Sequence, residues 1–390
     1  MSLVSTVVCV MASLPPLFVL AELTARAWRR SKGDFVWRPF ERTLMHLDRE
    51  ALPNLPALVR FEINCDGERG GKPPGSTESV WRVLVAGGSA AECYLLDQAD
   101  SWPEVLANEL LDRAFLTKVG RDKVHMGNIG KSGVDTSCVK LIFDRILRRY
   151  HRIDCILLFI GAGDVVNWLC SGAPTPFHPA TPEAGKVFSS LSAGIFGWTI
   201  KRTALAEVAR NLRDRFSLQS RSGVGKKLAE VRLMRANASI VIEQLPDPSG
   251  MIGSFAANLR DILQAAKGKA DKVLVIRQPW FDKDHFTAEE ERLLWHAPKG
   301  RPYEEQVDTY FSYQVFNALM RAIDLKTVEI CDELGIAALD LKAALPNSVE
   351  TYYDHLHFTA TGSKRVGKAV ADFVKNATAG MESNRGSVSP

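Results

Sequence analysis

Residues 81–103 read Trp-Arg-Val-Leu-Val-Ala-Gly-Gly-Ser-Ala-Ala-Glu-Cys-Tyr-Leu-Leu-Asp-Gln-Ala-Asp-Ser-Trp-Pro. The opening apolar run stops at two glycines, the pattern of a buried strand that breaks into a tight turn at its carboxyl end. Open parallel sheets place their ligands at that end, and Ser89 would stand there near free backbone N–H groups. Ser89 is therefore a candidate nucleophile. Gly-Gly-Ser is equally a common turn with a helix cap, so the rest of the chain must decide between the two.

The same rhythm recurs downstream. A helix enters at Trp102-Pro103 with Leu106, Leu110 and Leu111 on one face, and a strand over 123–128 runs into Asn128-Ile129-Gly130-Lys131-Ser132-Gly133. A helix carrying Val139, Ile142, Phe143, Ile146 and Leu147 follows. Residues 154–160 form a continuous apolar strand of the kind buried on both faces of a parallel sheet, ending at Gly161-Ala162-Gly163-Asp164. Helix 253–267, strand 272–277, a helix over 304–334 closed by Gly335, strand 336–341 and a terminal helix 362–376 complete the alternation. Five such strands between helices predict an α/β fold, a three-layer α/β/α sandwich around a five-stranded, mainly parallel sheet.

The 390 residues, 46 % hydrophobic and 24 % charged, describe a globular chain, and a formal net charge of +4 gives no argument for nucleic acid as a partner. Seven scattered cysteines without C-x-x-C spacing signal neither a zinc site nor a disulfide framework.

The run 3–21 is almost wholly apolar, interrupted by Pro15-Pro16, and approaches the roughly 20 residues that cross a bilayer as a helix. The expectation is a transmembrane anchor over 1–24. A cleaved signal peptide fits less well, because no Lys or Arg precedes the run and no tidy A-x-A site precedes the basic cluster. A buried core helix is the bland alternative. Arg26, Arg29, Arg30, Lys32 and Arg38 follow, and by the positive-inside rule they favour a cytoplasmic side for what comes next. Residues 25–80, rich in Pro and Gly, read as a juxtamembrane linker with one strand at 58–63. The main domain is then 81–376, and the small, polar tail 377–390 reads as disordered.

Residues 165–257 interrupt the alternation as an insertion or cap. Pro174, Pro176, Pro179 and Pro182 open it, and between 201 and 235 ten lysines and arginines face only Glu207, Asp214 and Glu230. Such a segment is a solvated amphipathic helix pair, or a face toward anionic headgroups or an acidic polymer. The loop after strand 272–277 carries Trp280, Phe281, His285, Phe286, Trp295 and His296, which suit one wall of a pocket or simply pack on their own domain.

In a doubly wound sandwich the strand ends at 88–89, 129–133, 161–164, 278–280 and 352–357 converge on one edge. Ser89, Asp354 and His357 would then share a site. Acyl transfer needs these groups: a hydroxyl nucleophile, an imidazole to take and return its proton, and a carboxylate to fix the imidazole tautomer. Taken alone, Asp354-x-x-His357 is also readable as a helix-capping acid beside a packed histidine. His355-x-His357 with Asp354 as metal ligands is disfavoured, since an extended segment would point the two imidazoles apart, so no metal or other cofactor is expected.

The set Gly87-Gly88-Ser89, Asn128-x-Gly130-x-Ser132-Gly133, Gly161-x-Gly163-Asp164 and Asp354-x-x-His357, in this order over most of 81–376, resembles the SGNH (GDSL-type) hydrolase family. The resemblance implies a flavodoxin-like sandwich, Ser89 as nucleophile, His357 as base, Asp354 as its orienting acid, and an oxyanion hole from the Ser89 and Gly133 N–H groups. It also goes with an exported catalytic domain, against the charge argument above. One departure stands out. The family's third block has Asn where this chain has Gly163, and losing such an oxyanion donor costs on the order of 10²–10³ in turnover. A backbone N–H at Gly163 or the amide of Asn167, one helical turn on, could replace it.

The expected function is a serine esterase that removes an acyl group, most simply acetyl, from a small molecule, glycan or lipid ester. The alternatives are an O-acyltransferase acting on a surface polysaccharide, and a degenerate member that binds acylated ligands or assists assembly.

Overall fold

The computed structural model describes the backbone of residues 3–75, 78–192 and 203–378, with side chains from residue 15 onward. The tail expected to be disordered lies, from 379 on, outside the described residues. In chain order, a long helix α1 (Leu3–Lys32) is followed by strands β1 (Arg42–Leu47), β2 (Leu58–Glu62) and β3 (Val80–Gly87). Helices α2 (Ser89–Glu92), α3 (Trp102–Glu109) and α4 (Arg113–Val119) lead to β4 (Lys123–Asn128), α5 (Thr136–Ile146), β5 (Ile153–Phe159) and α6 (Ala162–Cys170). Next come α7 (Ala184–Val187), α8 (Ala204–Phe216), β6 (Gln219–Val224), α9 (Lys226–Ala236), β7 (Ile240–Ile242), α10 (Ser249–Lys267) and β8 (Ala270–Ile276). The chain closes with α11 (Ala288–Glu291), β9 (Thr309–Phe311), α12 (Tyr313–Leu334), β10 (Ala337–Leu339) and α13 (Ala360–Ala377).

The central sheet has the order β10-β8-β5-β3-β4, with every neighbouring pair parallel. Numbered among themselves these strands run 2-1-3-4-5, which puts the topological switch between β3 and β5 and a crevice at their carboxyl ends. Pleating sends successive side chains to opposite faces. Leu84 and Ala86 of β3, with Ile156 and Leu158 of β5, join the core shared with α5, α10 and α12. Val83, Val85, Cys155, Leu157 and Phe159 join the opposite core, shared with α3 and α13. Burial of this kind, worth about 1.5–3 kcal/mol per large apolar side chain, holds β3 and β5 as a rigid base for what their ends carry.

Three expectations need correction. Residues 25–80 are not a linker: β1 and β2 pair antiparallel, β6 joins β1 in parallel, and Met45, Val59 and Phe61 are buried against the main domain. Their alternating burial is a strand signal that the surrounding Pro and Gly residues obscure. The helix expected over 304–334 begins only at Tyr313, because Ser312 caps it by accepting from the Val315 N–H at 3.2 Å and because 309–311 pairs with β7. The 165–257 insertion is bounded differently, since its first residues belong to α6 and its last to α10, while β6 is recruited to the β1–β2 sheet.

At the N-terminus, α1 continues without a break through Pro15 and Pro16 to Lys32. Among the described residues no helix is long and apolar enough to cross a membrane. The side chains of 1–14, which carry much of the expected 1–24 anchor, lie outside the described residues.

Candidate active site

The site begins at a close approach of two backbones. Gly87, at φ +156°, sits where a Cβ would fall 2.0 Å from the Phe159 carbonyl oxygen, so only glycine lets β3 and β5 run this close at the switch point. The Gly88 N–H then donates to that carbonyl at 3.3 Å, and Ser89 opens α2. The turn is fixed from outside. Trp102 Nε1 donates to the Ala90 carbonyl at 2.9 Å, and the buried Arg69 guanidinium donates to the carbonyls of Glu92, Cys93 and Leu96.

Asp354 and His357 arrive on the loop between β10 and α13. One Asp354 oxygen accepts the Leu356 and His357 N–H groups, each at 2.9 Å, an Asx-type arrangement that folds the segment so both side chains face one way. His357 Nδ1 lies 2.8 Å from Asp354 Oδ2, and His357 Nε2 lies 2.7 Å from Ser89 Oγ. An ionised carboxylate only accepts, so Nδ1 carries the proton and Nε2 is left to accept from the serine hydroxyl. Burial disfavours the charge of Asp354, but His357, His296 and the hydrogen bonds outweigh it and hold the carboxyl well below the usual range. Burial likewise opposes the cation of His357, and the Asp354 carboxylate overcomes it, raising the imidazole above the ordinary 6.5.

The sequence-level pairing omitted several neighbours. Trp295 Nε1 donates to Asp354 Oδ2 at 3.1 Å, Tyr353 stacks on the His357 ring at 5.5 Å, and Trp295 stacks on His296 at 4.0 Å. The aromatic loop containing Trp295 and His296 was legible as a pocket wall, whereas its hydrogen bond to the acid depends on a fold-level approach. His296 is buried and its imidazole is pushed down to about 3, chiefly by desolvation, so it is neutral. His296, Asp354 and His357 bring ligand atoms within 4.8 Å of one another and are the described residues that could hold a metal ion. His355 stands apart, enclosed by Phe286, Tyr313 and Phe316 with neither ring nitrogen hydrogen-bonded among the described residues.

The loop from Asn128 to Asp135 is braced on both sides. Toward α2, Asn128 Nδ2 donates to the Ala91 carbonyl at 2.7 Å, the buried Glu92 carboxylate accepts the Ser132 N–H, and a Cβ on Gly130 would meet the Glu92 nitrogen at 2.7 Å. Toward α6, Asp164 accepts from the Thr136 N–H at 3.1 Å and from its hydroxyl at 2.6 Å. A Cβ on Gly163 would fall 2.1 Å from the Val134 carbonyl oxygen. The space an asparagine at 163 would need is therefore filled by this loop. Asn167, half-buried on the next turn of α6, donates through Nδ2 to the Gly133 carbonyl at 3.3 Å. The N–H groups of Ser89 and Gly133 have no backbone acceptor among the described residues, and that of Gly163 lies in the first turn of α6, where no intrahelical partner exists.

Ser89, Gly133, Gly163, Asn167, Asp354 and His357 all line one pocket of about 900 Å³. Trp168, Phe177, Met251 and Leu228 add apolar wall, and Trp295, Tyr303 and Arg301 line the side nearest the aromatic loop.

No family model and no curated protein matches the chain. Among solved structures it is similar to a lipase/acylhydrolase from Enterococcus faecalis, at 12 % identity and TM-score 0.39, over 76 % of this chain and 96 % of that one. It is also similar to an acetylxylan esterase from Geobacillus stearothermophilus (12 % identity, TM-score 0.38, 75 % and 93 % covered). A third is a member of the lipolytic G-D-S-L family from Veillonella parvula (9 % identity, TM-score 0.38, 75 % and 97 % covered). At such scores these likenesses carry no argument about chemistry, and the reading of the site rests on its own geometry.

Proposed function

We propose that this chain is a serine ester hydrolase of the SGNH type, working through a Ser89 acyl-enzyme. The observation that carries the reading is the continuous relay from Ser89 Oγ through His357 Nε2, at 2.7 Å, to Asp354, at 2.8 Å from His357 Nδ1, opening onto the pocket. In this reading Ser89 Oγ adds to the ester carbonyl as its proton passes to His357 Nε2. The oxyanion faces the Ser89 and Gly133 N–H groups, and His357 returns the proton to the departing alcohol. Water, activated by the same imidazole, then releases the acid. Asn167 anchors the Gly133 carbonyl, on the peptide after the Gly133 N–H, and the Gly163 N–H is the remaining donor at the mouth of α6. The substrate class is an acyl ester, most simply acetyl, of a carbohydrate or lipid alcohol.

The test is stoichiometric labelling of Ser89 by a fluorophosphonate, with hydrolysis of p-nitrophenyl acetate and longer esters by the wild type and Ser89→Ala. Equal activity in both proteins, or no labelling, would remove the assignment and favour a degenerate, ligand-binding role. A second reading keeps the acyl-enzyme but delivers the acyl group to a sugar hydroxyl. The apolar lining from Trp168, Phe177, Leu228 and Met251 supports it, since transfer requires water to be kept from the acyl-enzyme. Acceptor-dependent product formation separates the two.

A further inference from the structure

Seven consecutive residues of α1, from Pro15 to Ala21, are exposed on every side of the helix, and none is polar. Leu17 is 58 % and Leu20 62 % exposed, with Phe18, Val19 and Leu23 also open. One residue further on, the situation reverses. Glu22 is buried, and its carboxylate accepts the first two N–H groups of α8, from Ala204 at 2.8 Å and Leu205 at 3.0 Å, while pairing with Arg26 at 2.7 Å. Arg29, also buried, bridges to Glu207 at 2.9 Å and donates to the Leu191 carbonyl at 3.1 Å. The helix thus leaves the domain as a rigid arm, locked to α8 at its base and bare beyond it.

We propose that this arm is inserted in the hydrocarbon of a lipid bilayer, with the Glu22–α8 lock marking the level at which the domain meets the membrane surface. The occupant follows from the distribution of apolar side chains. A second copy packing as a coiled coil covers one stripe, about two residues in seven, and would leave the rest of the arm in water. A helix apolar all round is covered on all sides only inside a core or a bilayer, and no part of the described core encloses it. The sequence upstream, Leu3-Val4 and Val7-Val8-Cys9-Val10-Met11, continues the same character within the same helix. Arg30 and Lys32, exposed past the lock, suit the headgroup side.

Flotation of the full chain with vesicles of neutral phosphatidylcholine in high salt tests this, alongside the double variant Leu17→Asp/Leu20→Asp. The wild type is expected to float, salt-resistant, with at least about tenfold enrichment over the variant, because each buried aspartate opposes insertion. Equal melting temperatures of the two proteins in detergent establish that the variant is folded, since both sites are exposed on the arm. Glu22→Gln is expected to float like the wild type but to melt lower. Wild type that stays unbound, that binds only anionic vesicles and is stripped by salt, or that sediments as a dimer the variant cannot form, overturns the proposal.

Discussion

Placing asparagine at position 163, as in the third block of the SGNH-type hydrolases the sequence resembles, is expected to harm the proposed activity, not to improve it. The Cβ alone would lie 2.1 Å from the Val134 carbonyl oxygen and 3.3 Å from the Asp135 Cα, whereas an ordinary contact needs well over 3 Å. The loop must therefore retreat by about 1 Å, the order of displacement that costs about 10² in rate when it moves a reacting group. It has little room to do so, because Glu92, Asn128 and Gly130 hold it against α2 from the other side. Overpacking of this kind costs about 1–3 kcal/mol of stability. Gly163→Ala should cost nearly as much as Gly163→Asn, since the clash belongs to Cβ. Ester hydrolysis and thermal melts of both variants are the assay, read as kcat/KM and Tm. If Gly163→Asn instead raises kcat at unchanged Tm, the loop yields easily, and Gly163 is a missing donor rather than a packing requirement.

Other outcomes follow from the same geometry. Ser89→Ala should abolish fluorophosphonate labelling and lower kcat by at least about 10³, leaving what the oxyanion hole supplies alone. His357 works as the free base and its imidazole is raised above 6.5, so kcat/KM should fall as pH drops through a value above 6.5. Asp354→Asn should lower kcat by about 10⁴ and move that acid limb downward, because burial then acts on His357 without the opposing carboxylate. Trp295→Phe removes one donor from Asp354, making the carboxylate more basic. The limb should move upward and kcat should fall about tenfold, with KM little changed. Half-buried Asp164 is pushed up to about 7 from 3.8, chiefly by desolvation, so its ionisation works against the fold: its contribution is fully present below 3.8 and is lost as pH rises through 7. The Tm of the wild type should therefore decline relative to Asp164→Asn across that interval.

Much of this was readable from local pattern. The strands around 81–87 and 154–160 announce themselves because central parallel strands are buried on both faces and read as near-continuous apolar runs. Ser89, Asp354 and His357 were legible as chemistry because strand alternation alone brings their loops to one edge. Within 25–80 only the strand at 58–62 was legible; β1 and the packing of both strands were not, since they are short, flanked by turns, and gain their burial only by packing on a domain encoded elsewhere. Arg69 belongs to the same blind spot: nothing in its neighbours indicates that its guanidinium would bind the carbonyls of residues 92–96.

Sequence by itself determined the alternation of elements, the order of the strand-end loops and the identity of the three side chains proposed to react, because these depend on periodicity and on residue type. Tertiary structure alone decided the meaning of Gly163. Read along the chain it is an absent donor, but in space the Val134 carbonyl occupies the place its side chain would take. Whether an atom fits depends on which distant backbone stands beside it, and close packing of two loops leaves no trace in the local pattern of either.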